Sequence, residues 1–163
     1  MKNWFKGPKS RETFLDIVSA LLILLFLYTG LSKLLHSLTF LGQLKQSPWP
    51  LISNNAEFIS WSLPWLEIVT VALLVIPFKG IRTAGFYLSA ILMIAFTTYV
   101  FVLLVSGRHL PCSCGGVIAY LSWKQHLLFN LVFLILSIWA IIKIRKEKVV
   151  EDRVDKTYNV SGI

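Results

Sequence analysis

The chain has 163 residues, of which 56% are hydrophobic and only 15% charged, with a mean hydropathy of +0.70. A soluble domain carries about a quarter charged residues. This composition therefore excludes a disordered chain, an ordinary cytosolic enzyme and, despite a formal net charge of +8, a nucleic-acid binder.

Four apolar stretches, each near the ~20 residues that cross a bilayer as a helix, occupy about half of the chain. The expected fold is all-α: an integral-membrane four-helix bundle with spans at about 13–35, 56–77, 83–106 and 124–143. Residues 1–12 form an N-terminal segment, 13–143 the transmembrane domain and 144–163 a charged tail, frayed or loosely helical. The basic residues are shared unevenly between the ends of these spans. Lys2, Lys6, Lys9 and Arg11 precede the first, Lys79 and Arg82 separate the second from the third, and Lys143, Arg145, Lys146, Lys148, Arg153 and Lys156 follow the fourth. The other two loops hold Lys33 and Lys45, then Arg108 and Lys124, so twelve of the sixteen cations fall on one side. The positive-inside rule puts that side, with both termini, in the cytoplasm of a bacterial inner membrane, where the basic ends meet anionic headgroups.

The first span opens with Glu12 and Asp16, anions suited to a helix N-terminus. Its core from Leu21 to Leu27 is long and lacks a following small-residue cleavage site, so it reads as a retained anchor rather than a signal peptide. Gly30, Ser32 and Lys33 mark its outer end, where Lys33 can snorkel to the interface. In the outer loop, Leu38, Leu41 and Leu44 suit a short helix on the membrane surface, broken by Ser47-Pro48-Trp49-Pro50. That segment is an interfacial packing element or, in a sharper reading, a lid over an outward-facing site. The second span carries Pro64, placed to kink but not break the helix, and Glu67, a carboxylate too deep to stay unpaired. Lys33, at similar depth on the neighbouring span, is its expected partner. Trp61, Trp65 and Trp123 sit at outer boundaries, as an aromatic belt does.

A short inner turn at Phe78–Arg82 leads to the third span, whose Gly85, Ser89, Ala90, Ala95, Thr97 and Thr98 permit close helix approach. The second outer loop reads Gly107-Arg108-His109-Leu110-Pro111-Cys112-Ser113-Cys114-Gly115-Gly116 and holds both cysteines of the chain. A disulfide between Cys112 and Cys114 would close almost no loop, so it would add little chain-entropy stabilisation. A tight pair of this kind suits exchange better than stapling. Arg108, His109 or His126 would lower a cysteine pKa and favour the thiolate. All three histidines, His36, His109 and His126, fall on the outer side with the cysteines, but their spacing matches no zinc pattern, and no metal ligand is assigned. In the fourth span His126 and Asn130 are one turn apart and share a face with Ser137. They are interhelical polar glue or part of a quinone or proton site.

Several of these residues together resemble a known family. Gly30-Leu31-Ser32-Lys33-Leu34 and Phe40 resemble the opening of DoxX-like four-helix membrane proteins. Pro64-Trp65-Leu66-Glu67 and the Cys-x-Cys-Gly element narrow the resemblance to the MauE branch, over residues 13–143. The resemblance implies membrane-embedded redox work beside a periplasmic thioredoxin-like partner, in the maturation of methylamine dehydrogenase, a disulfide-rich enzyme of methylamine metabolism. Carried onto this chain, it makes Cys112 and Cys114 the redox pair and Lys33 and Glu67 family-pattern positions. Here Cys114 is followed by Gly115-Gly116, where the family more commonly has glycine and then an aromatic residue.

The expected activity is thus a thiol–disulfide relay, with a quinone as a candidate electron acceptor for which the sequence offers no recognisable motif. The rival is a non-enzymatic scaffold or assembly subunit of a cell-envelope complex. The charge asymmetry is directly testable. A periplasm-active phosphatase fused after residue 46 should be active and one fused after residue 163 inactive, with a fluorescent-protein fusion giving the reverse pattern.

Overall fold

A computed structural model describes residues 8–106 and 122–161, all in helices and short turns. The elements are α1 (Pro8–Leu35), α2 (Ser37–Lys45), α3 (Pro50–Asn54), α4 (Ala56–Val75), α5 (Lys79–Val105) and α6 (Trp123–Ser161). Four helical segments are long and apolar enough to cross a membrane: Glu12–Leu35, Ala56–Val75, Lys79–Val105 and Lys124–Lys146. They pack in a ring, α1 on α4, α4 on α5, α5 on α6 and α6 back on α1, as the successive helices of an up-down bundle do.

The inward stripes follow the 3–4 residue spacing that such packing demands. On α1 the buried positions include Val18, Leu22, Phe26, Thr29 and Lys33, and on α6 they are His126, Asn130, Ser137 and Ala140. Val18, Leu22, Phe26, Leu74, Phe86, Met93 and Ala140 form one apolar core in the half of the bundle away from Lys33. The polar members of the stripes concentrate in the other half. In that apolar half the helix ends are tied by an Arg82–Asp16 ion pair at 2.7 Å and by Arg145 Nε donating to the Tyr87 hydroxyl at 2.6 Å. Lys143 Nζ also lies 3.8 Å from the Phe14 ring centroid. Asp16 is therefore partnered by a cation across the bundle, because α1 starts at Pro8 and leaves it more than one turn inside the helix.

Local sequence sets the boundaries. Helix α4 runs unbroken through Pro64 and ends before Ile76, whose extended backbone suits the residue preceding Pro77. Pro50 stands at the first position of α3, where its missing N–H costs nothing. Ser122 and Gln125 cap α6 reciprocally: the Gln125 side chain accepts from the Ser122 N–H at 3.0 Å, and Ser122 Oγ accepts from the Gln125 N–H at 3.4 Å. Of the two alternatives for the tail after residue 143 the helical one is seen: α6 continues to Ser161, spanning 39 residues. At 1.5 Å per residue that is roughly 58 Å, well beyond the ~30 Å hydrocarbon layer.

The segment after α1 is helical, as the Leu38–Leu41–Leu44 spacing predicts. Phe40 and Leu44 of α2 are buried against Ala56 of α4, with Leu41, Ile52, Ile59 and Leu63 around them. Helix α2 is thus packed onto the bundle end, and an exposed Lys45–Glu57 pair at 3.0 Å adds little to that.

Gly85 fixes the α4–α5 contact. A Cβ there would meet Leu74 side-chain atoms at 3.0 and 3.1 Å and the Leu74 backbone nitrogen at 3.1 Å. At Gly80 a Cβ would meet nothing within 4 Å. Gly85→Ala should therefore lower stability in detergent by about 1–3 kcal/mol through overpacking against backbone. Gly80→Ala should stay within about 0.5 kcal/mol of the parent or stabilise it, both read by thermal unfolding.

Candidate functional site

The site is built around one carboxylate. Glu67 follows Ala56 by eleven positions along α4, so it lies about 16 Å along the helix from that end. Its side chain is fully buried. Lys33 Nζ, on α1, donates to Glu67 Oε1 at 2.5 Å, and Thr29 Oγ1, one turn earlier on the same stripe, donates to the same oxygen at 3.2 Å. The Lys33 side chain is only 5% exposed. It does not snorkel, because the carboxylate across the helix interface offers it more than the distant headgroups do.

Two rings complete the cation's surroundings. The Phe96 centroid of α5 lies 5.1 Å from Lys33 Nζ and the Phe40 centroid of α2 lies 5.8 Å away. Both are within cation–π range, and desolvation strengthens such contacts. The short helix thereby shields the pair from the bundle end. Gly30 makes the approach of α1 to α4 feasible: a Cβ there would meet Glu67 Cβ at 3.3 Å, Glu67 Oε2 at 3.4 Å and the Pro64 carbonyl oxygen at 3.5 Å.

From α6, His126 and Asn130 are buried in the same half of the bundle, at 4% and 6% exposure. Ser137, farther along the same face, donates to its own helix at the Phe133 carbonyl, 2.9 Å away. His36 is exposed at the α1–α2 junction, where its Nδ1 lies 3.1 Å from the Ser32 carbonyl oxygen. The fold therefore joins Lys33 to Glu67 and buries His126 and Asn130 in the same half of the bundle, but leaves His36 exposed. Among the described residues no group of three or more histidine, cysteine or carboxylate side chains is arranged to hold a metal. Arg108, His109, Cys112 and Cys114 lie outside the described residues.

The comparison with family models matches residues 11–143 to the model described as "Methylamine utilisation protein MauE". The chain belongs to the MauE family. The match covers all four apolar helices, from the start of α1 to the Lys143 turn of α6, so family membership rests on the bundle as a whole. Comparison with curated proteins and with solved structures finds no match. This MauE family member is a membrane protein with four apolar helices.

Sequence reasoning missed Thr29 and Phe96 as parts of the site. Thr29 carried a signal, its position one turn before Lys33 on a buried stripe. Phe96 carried none, since nothing in an apolar span marks which phenylalanine faces a cation on another helix.

Removing one member of a buried ion pair leaves the other charge uncompensated, at a cost of about 3–5 kcal/mol, whereas replacing both by apolar residues can be nearly neutral. Lys33→Met and Glu67→Leu should therefore each strongly destabilise the bundle. The double variant should recover most of that loss, giving a coupling energy of at least about 2 kcal/mol in a double-mutant cycle of unfolding in detergent. Additive losses would mean that the two charges do not depend on one another.

Proposed function

We propose that this MauE family protein is an inner-membrane thiol–disulfide relay acting through Cys112 and Cys114, with both termini cytoplasmic. The observation that carries this reading is the Cys-x-Cys-Gly-Gly element in a chain of this family. Two features of the fold support it. The helix ends that flank residues 107–121 belong to the Lys33 half of the bundle, because α5 starts beside Asp16 at the opposite end. That half also carries few basic residues, as a periplasmic side does.

The exchange chemistry needs no other cofactor. One thiolate attacks a partner's disulfide, forming a mixed disulfide as the partner's sulfur–sulfur bond breaks and a partner thiolate leaves. The second cysteine then attacks the mixed disulfide, releasing the partner with two thiols and leaving the Cys112–Cys114 pair oxidised. The reverse sequence oxidises a partner. Arg108 and His109, close in sequence to the cysteines, favour the thiolate electrostatically in this reading. His126, buried near the start of α6, joins them in tuning the thiolate in this reading. The Lys33–Glu67 pair holds α1 and α4 in register. The partner is a periplasmic thioredoxin-like protein or an envelope protein maturing its disulfides.

Single replacements Cys112→Ser and Cys114→Ser should differ in outcome. The variant that retains the attacking thiol should accumulate a mixed disulfide with a periplasmic partner, seen on non-reducing gels after acid quenching and lost with reductant. If neither variant traps a partner and the doubly substituted chain remains fully functional in cells, the protein is instead a non-enzymatic assembly subunit.

A further inference from the structure

The basic end of the bundle, opposite Lys33, holds its cations in different ways. Arg82 of α5 pairs with Asp16 of α1 at 2.7 Å, and Arg145 Nε of α6 donates to the Tyr87 hydroxyl at 2.6 Å. Lys143 has neither kind of partner. Its ammonium lies 3.8 Å from the Phe14 ring centroid and 5.1 Å from the Trp139 ring. Those two rings are themselves 4.9 Å apart across the contact of α1 with α6. Among the described residues no carboxylate pairs with Lys143, and Asp16, two positions from Phe14, is taken by Arg82. Two ring faces orient an ammonium without supplying a counter-charge.

The depth of this cation is set by the helix. The apolar span of α6 runs from Lys124 to Lys146, so Lys143 stands roughly 28 Å from its start, at the edge of a ~30 Å hydrocarbon layer. Lys146 is exposed and follows Lys143 by three positions, on the same side of the helix. Trp139, 49% exposed, precedes it by one turn, at the depth where tryptophan rings meet lipid headgroups.

Two exposed apolar rows converge on this point. On α6, Val132, Ile135 and Trp139 are exposed at three- and four-residue spacing, and Lys143 continues the row. On α1, Ile17 and Leu21 are exposed and extend the row begun by Phe14. Because Phe14 meets Trp139, the two rows flank one seam between the helices, apolar along its length and cationic at its mouth.

An occupant of this seam needs an apolar chain to lie along the helices and an anion at the level of Lys143. A phospholipid with a net negative headgroup has both. A zwitterionic lipid brings a cation of its own to the same place, and a soluble anion has no chain for the seam.

We propose that the α1–α6 seam binds one anionic phospholipid, with its phosphate on Lys143 and Lys146 beside Trp139 and an acyl chain between the apolar rows. The general attraction of a basic face for a negative bilayer surface is spread over all of its cations. This site differs in holding one lipid and in depending on one cation above the others. It stands independently of the relay.

The test is native mass spectrometry of the full chain released from neutral detergent micelles, titrated with dioleoyl phosphatidylglycerol or dioleoyl phosphatidylcholine. The parent should bind a first phosphatidylglycerol at least about fivefold more tightly than a second, and more tightly than any phosphatidylcholine. One cation near an anionic lipid surface is worth about fivefold in affinity. Lys143→Gln should lose at least that factor for the first phosphatidylglycerol and leave phosphatidylcholine binding unchanged. Lys146→Gln, at an exposed position, should show a smaller loss and keeps the test open if the Lys143 variant fails to fold. Lys79→Gln, at the same end of the bundle but at the start of α5, should bind as the parent does. Equal binding of the two lipids, or variants at 143 and 146 that bind no more weakly than the one at 79, overturns the proposal. Displacement of the lipid by an equal concentration of inorganic phosphate would make the ligand a soluble anion. A dimer that excludes the lipid would make the occupant a second copy of this chain, and either result also overturns the lipid site.

Discussion

The Lys33–Glu67 ion pair is the constraint around which this half of the bundle is arranged. A carboxylate and an ammonium within a membrane-spanning helix pair are each costly alone, and only a short, shielded contact compensates their desolvation. The surrounding features serve that contact. Gly30 lets α1 approach α4 closely enough, with a Cβ there only 3.3 Å from Glu67 Cβ. Thr29 supplies a second donor to the same carboxylate oxygen. Phe96 and Phe40 face the ammonium, and α2 must fold back over the bundle for Phe40 to do so.

This arrangement divides the bundle into two functional halves. One is an ordinary apolar core, closed by aromatic rings and cation contacts at its end, as between Lys143, Phe14 and Trp139. Its energetics are those of packing, where Gly85 against Leu74 sets the spacing of α4 and α5. The other half gathers the polar residues on inward stripes, where each needs a partner because lipid supplies none. A polar half adjoining the helix ends that flank the cysteine-bearing segment is consistent with chemistry at that end.

Much of the site was legible in the sequence because rare residues are informative in an apolar span. A lone Glu67 and a lone Lys33 at matching depth implied each other, and His126, Asn130 and Ser137 at 4- and 7-residue spacing implied one inward face. Thr29 was less visible because threonine in a span commonly bonds to its own helix. Phe96 and Phe40 were invisible as cation partners, since apolar residues satisfy the hydropathy pattern whichever way they face. The continuation of α6 to Ser161 was also hidden, because the alternating charges after residue 143 fit a solvated helix and an irregular tail equally well.

Taken alone, the amino-acid sequence determined the class of the protein, the number of its apolar spans and the uneven placement of its cations. Those properties follow from the free energy of moving each segment into hydrocarbon, a sum over local composition. Tertiary structure decided which residues share an environment: that Lys33 turns inward instead of snorkelling, and that α2 brings Phe40 over the pair. Those outcomes depend on helix rotation and on contacts between residues far apart in the chain, which no local sum of hydropathy contains.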